Sequence, residues 1–183
     1  MKKYFDSHEE KYINWYVQSL VNHGFIKQYI FHHKSYELSN KVTYDWTKPM
    51  KRVPDKTMET TILLPHTYTP DILINWSQAA EGIFYQNLED NKKITAPFIA
   101  QENQSIWEIK GNFDYQNMTR LAMLNIKWVM KEYGDFIQIV SPQKIFNKTF
   151  TPERYLFTDK SFKPRKLKYK NVRTIREFRD KIS

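Results

Sequence analysis

The sequence predicts an α/β fold in which a mixed central sheet is flanked by helices, with the core elements in the order αβββαβ. Two segments have apolar residues at helical spacing, apolar runs of strand length lie between them, and another run follows the second helix. The succession of a strand, a helix and a further strand favours a crossover unit in which the helix covers one sheet face. A chain of 183 residues suits one domain with a tail.

The first predicted helix spans residues 7–23. Ser7 is a good N-cap, and Glu10 lies three residues later, as in a capping box. Gly24 is a plausible stop. Capping the helix is therefore one interpretation of Glu10.

The first predicted strand spans residues 25–38. It contains His32 and His33, and neighbouring residues of a strand face opposite sides, so the two rings cannot easily share an ion. Both are interpreted as surface or hydrogen-bonded histidines. Turn-forming and basic residues fill 39–58, which predicts a loop or irregular hairpin with a short strand at 42–44.

The next strands are predicted at 59–64 and 68–75. Residues 76–105 form a long segment before the following strand and are treated as an insertion. Apolar runs at 83–85 and 98–100 predict that it contains an extra hairpin, for which gripping a substrate or dimerising is an open role.

The second helix is predicted at residues 115–133, where an apolar stripe ends at Gly134. A strand at 136–140 follows and completes the predicted core. The chain is accordingly divided into a domain of residues 1–140 and a basic C-terminal extension of residues 141–183. The extension is expected to be an extended arm.

The positive charge is concentrated at the C-terminus. The net charge is +9, and residues 160–183 hold ten of the 29 Lys and Arg residues but two of the 20 Asp and Glu residues. Polyanions, with DNA first among them, are the natural partners of such a segment. The predicted nucleic-acid contacts are Arg120, Lys163, Arg165, Lys166, Lys168, Lys170, Arg173 and Arg176.

Composition also limits the location of the protein. There is no cysteine, which excludes disulfides and thiolate metal sites and fits a reducing compartment. The chain contains neither an apolar run long enough to span a membrane nor a signal-peptide pattern. The expectation is a cytoplasmic protein without a membrane partner, in the host cytoplasm if it is encoded by a phage.

Two apolar runs that have the pattern of core strands also contain charged residues, which core strands usually lack. Asp71 precedes Ile72, Leu73 and Ile74, and the run at 106–111 contains Glu108 and Lys110. Residues two apart on a strand share a face, and burying an acid beside a base is costly without partners or a metal. Two carboxylates beside a lysine suit Mg²⁺. The alternative is an exposed ion pair at a strand edge, with Asp71 in a turn.

These residues carry a resemblance to a known family. Pro70-Asp71 with Glu108-Ile109-Lys110 reads as PD…ExK and resembles the PD-(D/E)xK nuclease superfamily, which includes many restriction enzymes and phage Holliday-junction resolvases. The segment Phe5-Asp6-Ser7-His8-Glu9-Glu10 is similar to the F-D-S-x-x-E opening of small phage and prophage members, in which the helical glutamate reaches the metal site. Glu10 matches that glutamate, with Glu9 as the fallback.

The resemblance implies a restriction-endonuclease-like core over about residues 5–140 and a metal-dependent endonuclease. Asp71, Glu108, the Ile109 carbonyl and Glu10 are the implied ligands of Mg²⁺, with Mn²⁺ as a substitute. Lys110 is implied to orient the attacking water. Glu10, Asp71, Glu108 and Lys110 are thus the predicted catalytic residues. By analogy with the phage resolvases, branched DNA is the expected substrate. Cutting two strands favours a homodimer.

Two functions from other classes stay open. One is a phage structural protein, such as a head-completion factor, that has a nuclease fold. The other is a DNA-binding module without catalysis, in which the basic C-terminal extension does the binding.

Overall fold

A computed structural model describes residues 5–90, 94–111, 117–158, 160–166 and 172–182. Its helices are α1 (His8–Asn22), α2 (Asn117–Tyr133), α3 (Pro142–Lys148) and α4 (Ile175–Ile182), with short 3-10 helices at Gln78–Ala80 and Glu153–Leu156. Its strands are β1 (Ile26–Phe31), β2 (Tyr36–Ser39), β3 (Val42–Lys48), β4 (Lys56–Leu63), β5 (His66–Tyr68), β6 (Ile72–Trp76), β7 (Tyr85–Asn87), β8 (Phe98–Ala100), β9 (Gln104–Ile109) and β10 (Ile137–Val140).

The largest sheet has four strands in the order β1-β6-β9-β10. β6 pairs antiparallel with both β1 and β9, whereas β9 and β10 are parallel and are joined through α2. Parallel neighbours need such a crossover connection. The predicted mixed α/β sheet with helices is confirmed, and α1, β1, β6, β9, α2 and β10 follow one another in the predicted order of core elements.

Local signals explain the two long helices. Ser7 caps α1, and its side chain accepts a hydrogen bond from the Glu10 N–H at 3.1 Å. The chain leaves α2 at Gly134, whose φ of 76° favours glycine and whose N–H donates to the Met130 carbonyl. No helix in the described ranges is long and apolar enough to cross a membrane.

Two hydrophobic clusters lie on opposite faces of the four-stranded sheet. The main cluster joins α1 to β6 and β9 through residues that include Tyr16, Trp76 and Trp107. The second cluster joins α2, β2, β5 and β10, and Ile106 packs against it. Because Trp107 and its neighbour Ile106 face different clusters, β9 is covered on both sides by the fold.

Part of the 76–105 insertion is buried in the hydrophobic core. Phe84, Tyr85 and Phe98 are completely buried in the main cluster. β7 and β8 pair in parallel, so the predicted hairpin over 83–85 and 98–100 is wrong. Rings of both apolar runs pack against Trp76 or Trp107.

Of the two alternatives predicted for 39–58, a loop or an irregular hairpin, the structure shows a hairpin, and its first strand includes the predicted strand at 42–44. β3 and β4 pair over their whole length, and of residues 41–65 all but Thr43 and Met58 are exposed. The predicted strand at 59–64 is therefore the second strand of this hairpin, outside the central sheet. The predicted strand at 25–38 is also divided, into β1 and β2, with His32 at the break.

The C-terminal segment packs against the fold, in contrast to the extended arm expected for 141–183. Phe146, Phe150, Ile175 and Phe178 are all buried in the main cluster. The Tyr16 ring stacks on Phe150 with centroids 4.5 Å apart, and its hydroxyl hydrogen-bonds to Thr149. The helix predicted near the C-terminus is present as α4. The core therefore continues past residue 140.

We expect Phe150→Ala to lower the free energy of unfolding by about 3 kcal/mol, because it removes a buried ring and leaves a cavity next to α1. Phe162→Ala is the matched control, since that ring is 65% exposed, and its effect should stay within about 0.5 kcal/mol. Urea unfolding followed by circular dichroism measures both. Equal effects of the two substitutions would contradict the packing of this segment into the core.

Candidate active site

Asp71 lies at the start of β6, beside the end of β9. The register pairs Ile72 with Trp107, which brings Asp71 opposite Glu108. Its Oδ2 accepts a hydrogen bond from the Ile109 N–H, and its own N–H donates to the Trp107 carbonyl. Strand pairing thus joins the two halves of the PD…ExK pattern despite the residues between them.

Glu108 and Lys110 lie on one face of the chain at the end of β9. The Lys110 Nζ is 2.6 Å from the Glu108 Oε1, and the two side chains are only 19% and 7% exposed. The alternative of a solvent-exposed ion pair does not describe this geometry. The Glu108 Oε2 accepts a 2.8 Å hydrogen bond from the Tyr68 hydroxyl. Burial and the neighbouring carboxylate raise the pKa of Tyr68, so its hydroxyl keeps the proton that it donates.

The electrostatic balance of this group favours an additional cation. Burial, followed by the charge of Glu108, raises the pKa of Asp71 to about 7. The hydrogen bond from Ile109 and the charge of Lys110 oppose that rise without cancelling it, and Glu10 adds to it. A carboxyl group whose pKa is raised in this way has too little positive charge nearby to stabilise its ionised form. A divalent cation would supply it.

Glu10 has the contacts of a capping residue, and among the described residues its carboxylate groups with Asp6 and His32 and not with Asp71 and Glu108. It is 5% exposed, and its Oε1 accepts a 2.8 Å hydrogen bond from the Ser7 hydroxyl, as expected for a capping residue. Its Oε2 accepts from the Asp6 N–H and points towards the His32 ring. Glu9, the fallback, lies beside the residue that follows Lys110: its Oε1 would be 3.2 Å from a Cβ added to Gly111.

The structure brings in two residues that sequence reasoning did not select. Asp6, Glu10 and His32 offer ligand atoms within 4.8 Å of one another, and they are the one such acidic or histidine group of three among the described residues. The His32 N–H donates to the Asp71 carbonyl, which ties β1 to the candidate site. Asp6 belongs to the quoted F-D-S-x-x-E segment. His32 had no local signal, because the pairing of β1 with β6 decides its position.

The donor set fits a hard divalent cation. Asp71, Glu108 and Glu10 are carboxylates, and only Lys110 neutralises the pair on β6 and β9. Mg²⁺ and Mn²⁺ prefer such oxygen ligands. Asp71 and Glu108 are the residues that would hold the ion, with the Ile109 carbonyl and Glu10 as the further ligands implied by the resemblance.

The predicted DNA contacts have different surroundings. Arg173 donates to the Asn147 and Lys148 carbonyls at the end of α3, and Arg165 donates to the Tyr155 and Phe157 carbonyls. Both guanidinium groups therefore hold the C-terminal segment in place. The remaining candidates in the described ranges have exposed side chains: Arg120, Lys163, Lys166 and Arg176. Lys168 and Lys170 lie outside the described residues.

The chain was also compared with known proteins in three ways. Comparisons with models of protein families, with curated proteins and with solved structures each found no match for it.

Proposed function

We propose that this protein is a metal-dependent DNA endonuclease with a restriction-endonuclease-like core. The observation that carries the proposal is the meeting of the Asp71 carboxyl, the Glu108 carboxylate and the Lys110 ammonium at one end of the sheet. A half-buried lysine beside two mutually repelling carboxylates is costly as a purely structural feature. It is understandable as a site adapted to a cation and a phosphate.

Each side chain has a role that its charge suggests. Asp71 and Glu108 would hold Mg²⁺, and the Tyr68 hydroxyl orients the Glu108 carboxylate. When bound, the metal supplies positive charge that stabilises the scissile phosphate and the leaving oxygen. Lys110 orients a water molecule and favours its hydroxide form. The attacking water gives up a proton to solvent as its oxygen bonds to phosphorus, the bond from phosphorus to the 3′ oxygen breaks, and that oxygen takes a proton from solvent. The products have 5′-phosphate and 3′-hydroxyl ends.

The test is a cleavage panel of linear duplex, single-stranded, flapped and four-way DNA, with Mg²⁺, with Mn²⁺ and with a chelator. Cleavage that depends on the metal supports the proposal, and strongest cutting of the four-way substrate supports a resolvase acting as a homodimer. Equal DNA binding with and without metal, without any cleavage, favours the DNA-binding module instead. The same result is compatible with a phage structural protein that does not cut DNA.

We expect Tyr68→Phe to reduce cleavage about 10-fold, because Glu108 loses the hydrogen bond that orients it towards the metal. Tyr36→Phe is the control: that ring is also buried in the second cluster, and its hydroxyl donates to Asp135, which is not a residue of the candidate site. Both variants should lose about 1 kcal/mol of stability. Titration of Mg²⁺ against the initial cleavage rate separates them, and a similar activity loss in both would contradict the role of Tyr68.

A further inference from the structure

The hairpin of β3 and β4 is the most exposed element among the described residues. It pairs with no third strand there, and nearly all of its side chains face solvent. An isolated two-stranded hairpin is marginally stable in water, so this hairpin, with strands of seven and eight residues, needs stabilisation by a partner or by the rest of the fold. Its surface therefore requires an explanation beyond the fold.

The register gives this hairpin two different faces. Cross-strand partners and residues two apart share a face, so Tyr44, Trp46 and Lys48 lie together with Thr60, Met58 and Lys56. We call this the basic face. The acidic residues Asp45 and Glu59 are cross-strand partners on the opposite face. Aromatic rings and lysines are thus on one side, and carboxylates on the other.

The tip of the hairpin is strongly cationic. Lys48 and Lys56 are direct cross-strand partners, and Lys51 and Arg52 extend from the loop between them. Like charges directly opposite on a hairpin are destabilising, and an anion bound between them relieves the repulsion. Asp55, whose carboxylate accepts a hydrogen bond from the Met50 N–H, supplies one negative charge against these four positive charges, so the tip stays cationic.

We propose that the basic face and tip of this hairpin bind duplex DNA, with Lys48 and Lys56 on the phosphates of one groove. A two-stranded ribbon fits the major groove, which is about 12 Å wide. A second copy of this chain is a poorer partner, because it would bring the same lysine pair and its own net charge of +9. The identification of DNA as the polyanion rests on the proposed function. In this role the hairpin would contact the DNA outside the candidate active site.

The decisive experiment measures binding of a labelled DNA duplex by fluorescence anisotropy, in a chelator, at several salt concentrations. Lys48→Ala/Lys56→Ala should weaken binding about tenfold at low salt and reduce the log–log salt slope by about 2, since each phosphate contact contributes about 0.9. Lys127→Ala/Lys131→Ala removes the same charge from exposed positions on α2 and should change both quantities much less. Thermal melting checks that both variants fold.

Unchanged affinity and slope in the hairpin variant, or an equal loss in the α2 control, would overturn the inference. So would a change of oligomeric state in the hairpin variant with DNA binding intact, because the basic face would then be a contact between copies. Binding in a chelator keeps this result separate from catalysis. A wild type that cuts nothing while the hairpin variant loses affinity refutes the nuclease function alone, and normal cutting with unchanged variant binding refutes the hairpin inference alone.

Discussion

Replacing Lys110 should lower the rate of Mg²⁺-dependent cleavage by about 10³-fold, the largest effect that we expect of a single substitution in this chain. Its Nζ is the one cation placed between the carboxylates of β6 and β9 in the described structure. Without it, the attacking water loses the group that orients it and favours hydroxide. Nicking of supercoiled DNA under single-turnover conditions measures the chemical step directly.

Two variants separate catalysis from folding at this position. Lys110→Ala leaves the Glu108 carboxylate, which is 6% exposed, without its partner and so is expected to lower stability as well. Lys110→Gln keeps a hydrogen-bond donor towards Glu108 but no charge, and should melt close to the wild type while cleaving as poorly as the alanine variant. Lys27→Ala, at an exposed position at the other end of β1, is the matched control. Undiminished cleavage by the glutamine variant would refute the assignment of Lys110.

Asp71→Asn should also lower the rate of cleavage by about 10³-fold. The same substitution should stabilise the metal-free protein. The folded-state pKa of Asp71 is about 7, above its ordinary value of 3.8, so the folded state binds the proton more tightly than the unfolded state. Stability is therefore lost as the pH rises from about 4 to about 7. Asparagine does not titrate, and its side-chain oxygen can still accept from the Ile109 N–H.

The pH dependence makes this prediction specific. At pH 8 in a chelator, Asp71→Asn should raise the free energy of unfolding by about 1–2 kcal/mol, less than the full linkage value because the side chain keeps some contact with water. The gain should shrink as the pH falls towards 4. Mg²⁺ should stabilise the wild type but not this variant. Asp90→Asn, at an exposed position, should change nothing. A stability loss at pH 8 for Asp71→Asn would contradict the electrostatic description of the site.

The two predictions together test more than either one alone. Loss of activity with a gain of stability is the signature of a group kept for function at the expense of the fold. A purely structural Asp71 would lose both when replaced. The proposed endonuclease requires opposite signs for these two quantities at one residue.

Sequence patterns predicted the parts of this protein that depend on local chemistry. Ser7 and Glu10 mark the start of α1 because a helix must satisfy its first N–H groups, and Gly134 marks the end of α2 because the chain there takes a positive φ. The charges in the apolar runs around Asp71 and Glu108 indicated one buried acidic site. The spacing of Glu108 and Lys110 placed both on one face, where their ion pair lies.

Contacts between distant segments decided the rest. The inclusion of Phe150 and Phe178 in the core, the parallel pairing of β7 with β8 and the position of His32 beside Glu10 all depend on which surfaces meet. The exposed β3–β4 hairpin had no burial pattern to indicate it. The amino-acid sequence by itself determined the two long helices, the core strands β6, β9 and β10, and the chemical character of the candidate site. Only the tertiary structure decided which strands pair and which side chains reach that site, because burial and strand register depend on residues far apart in the chain.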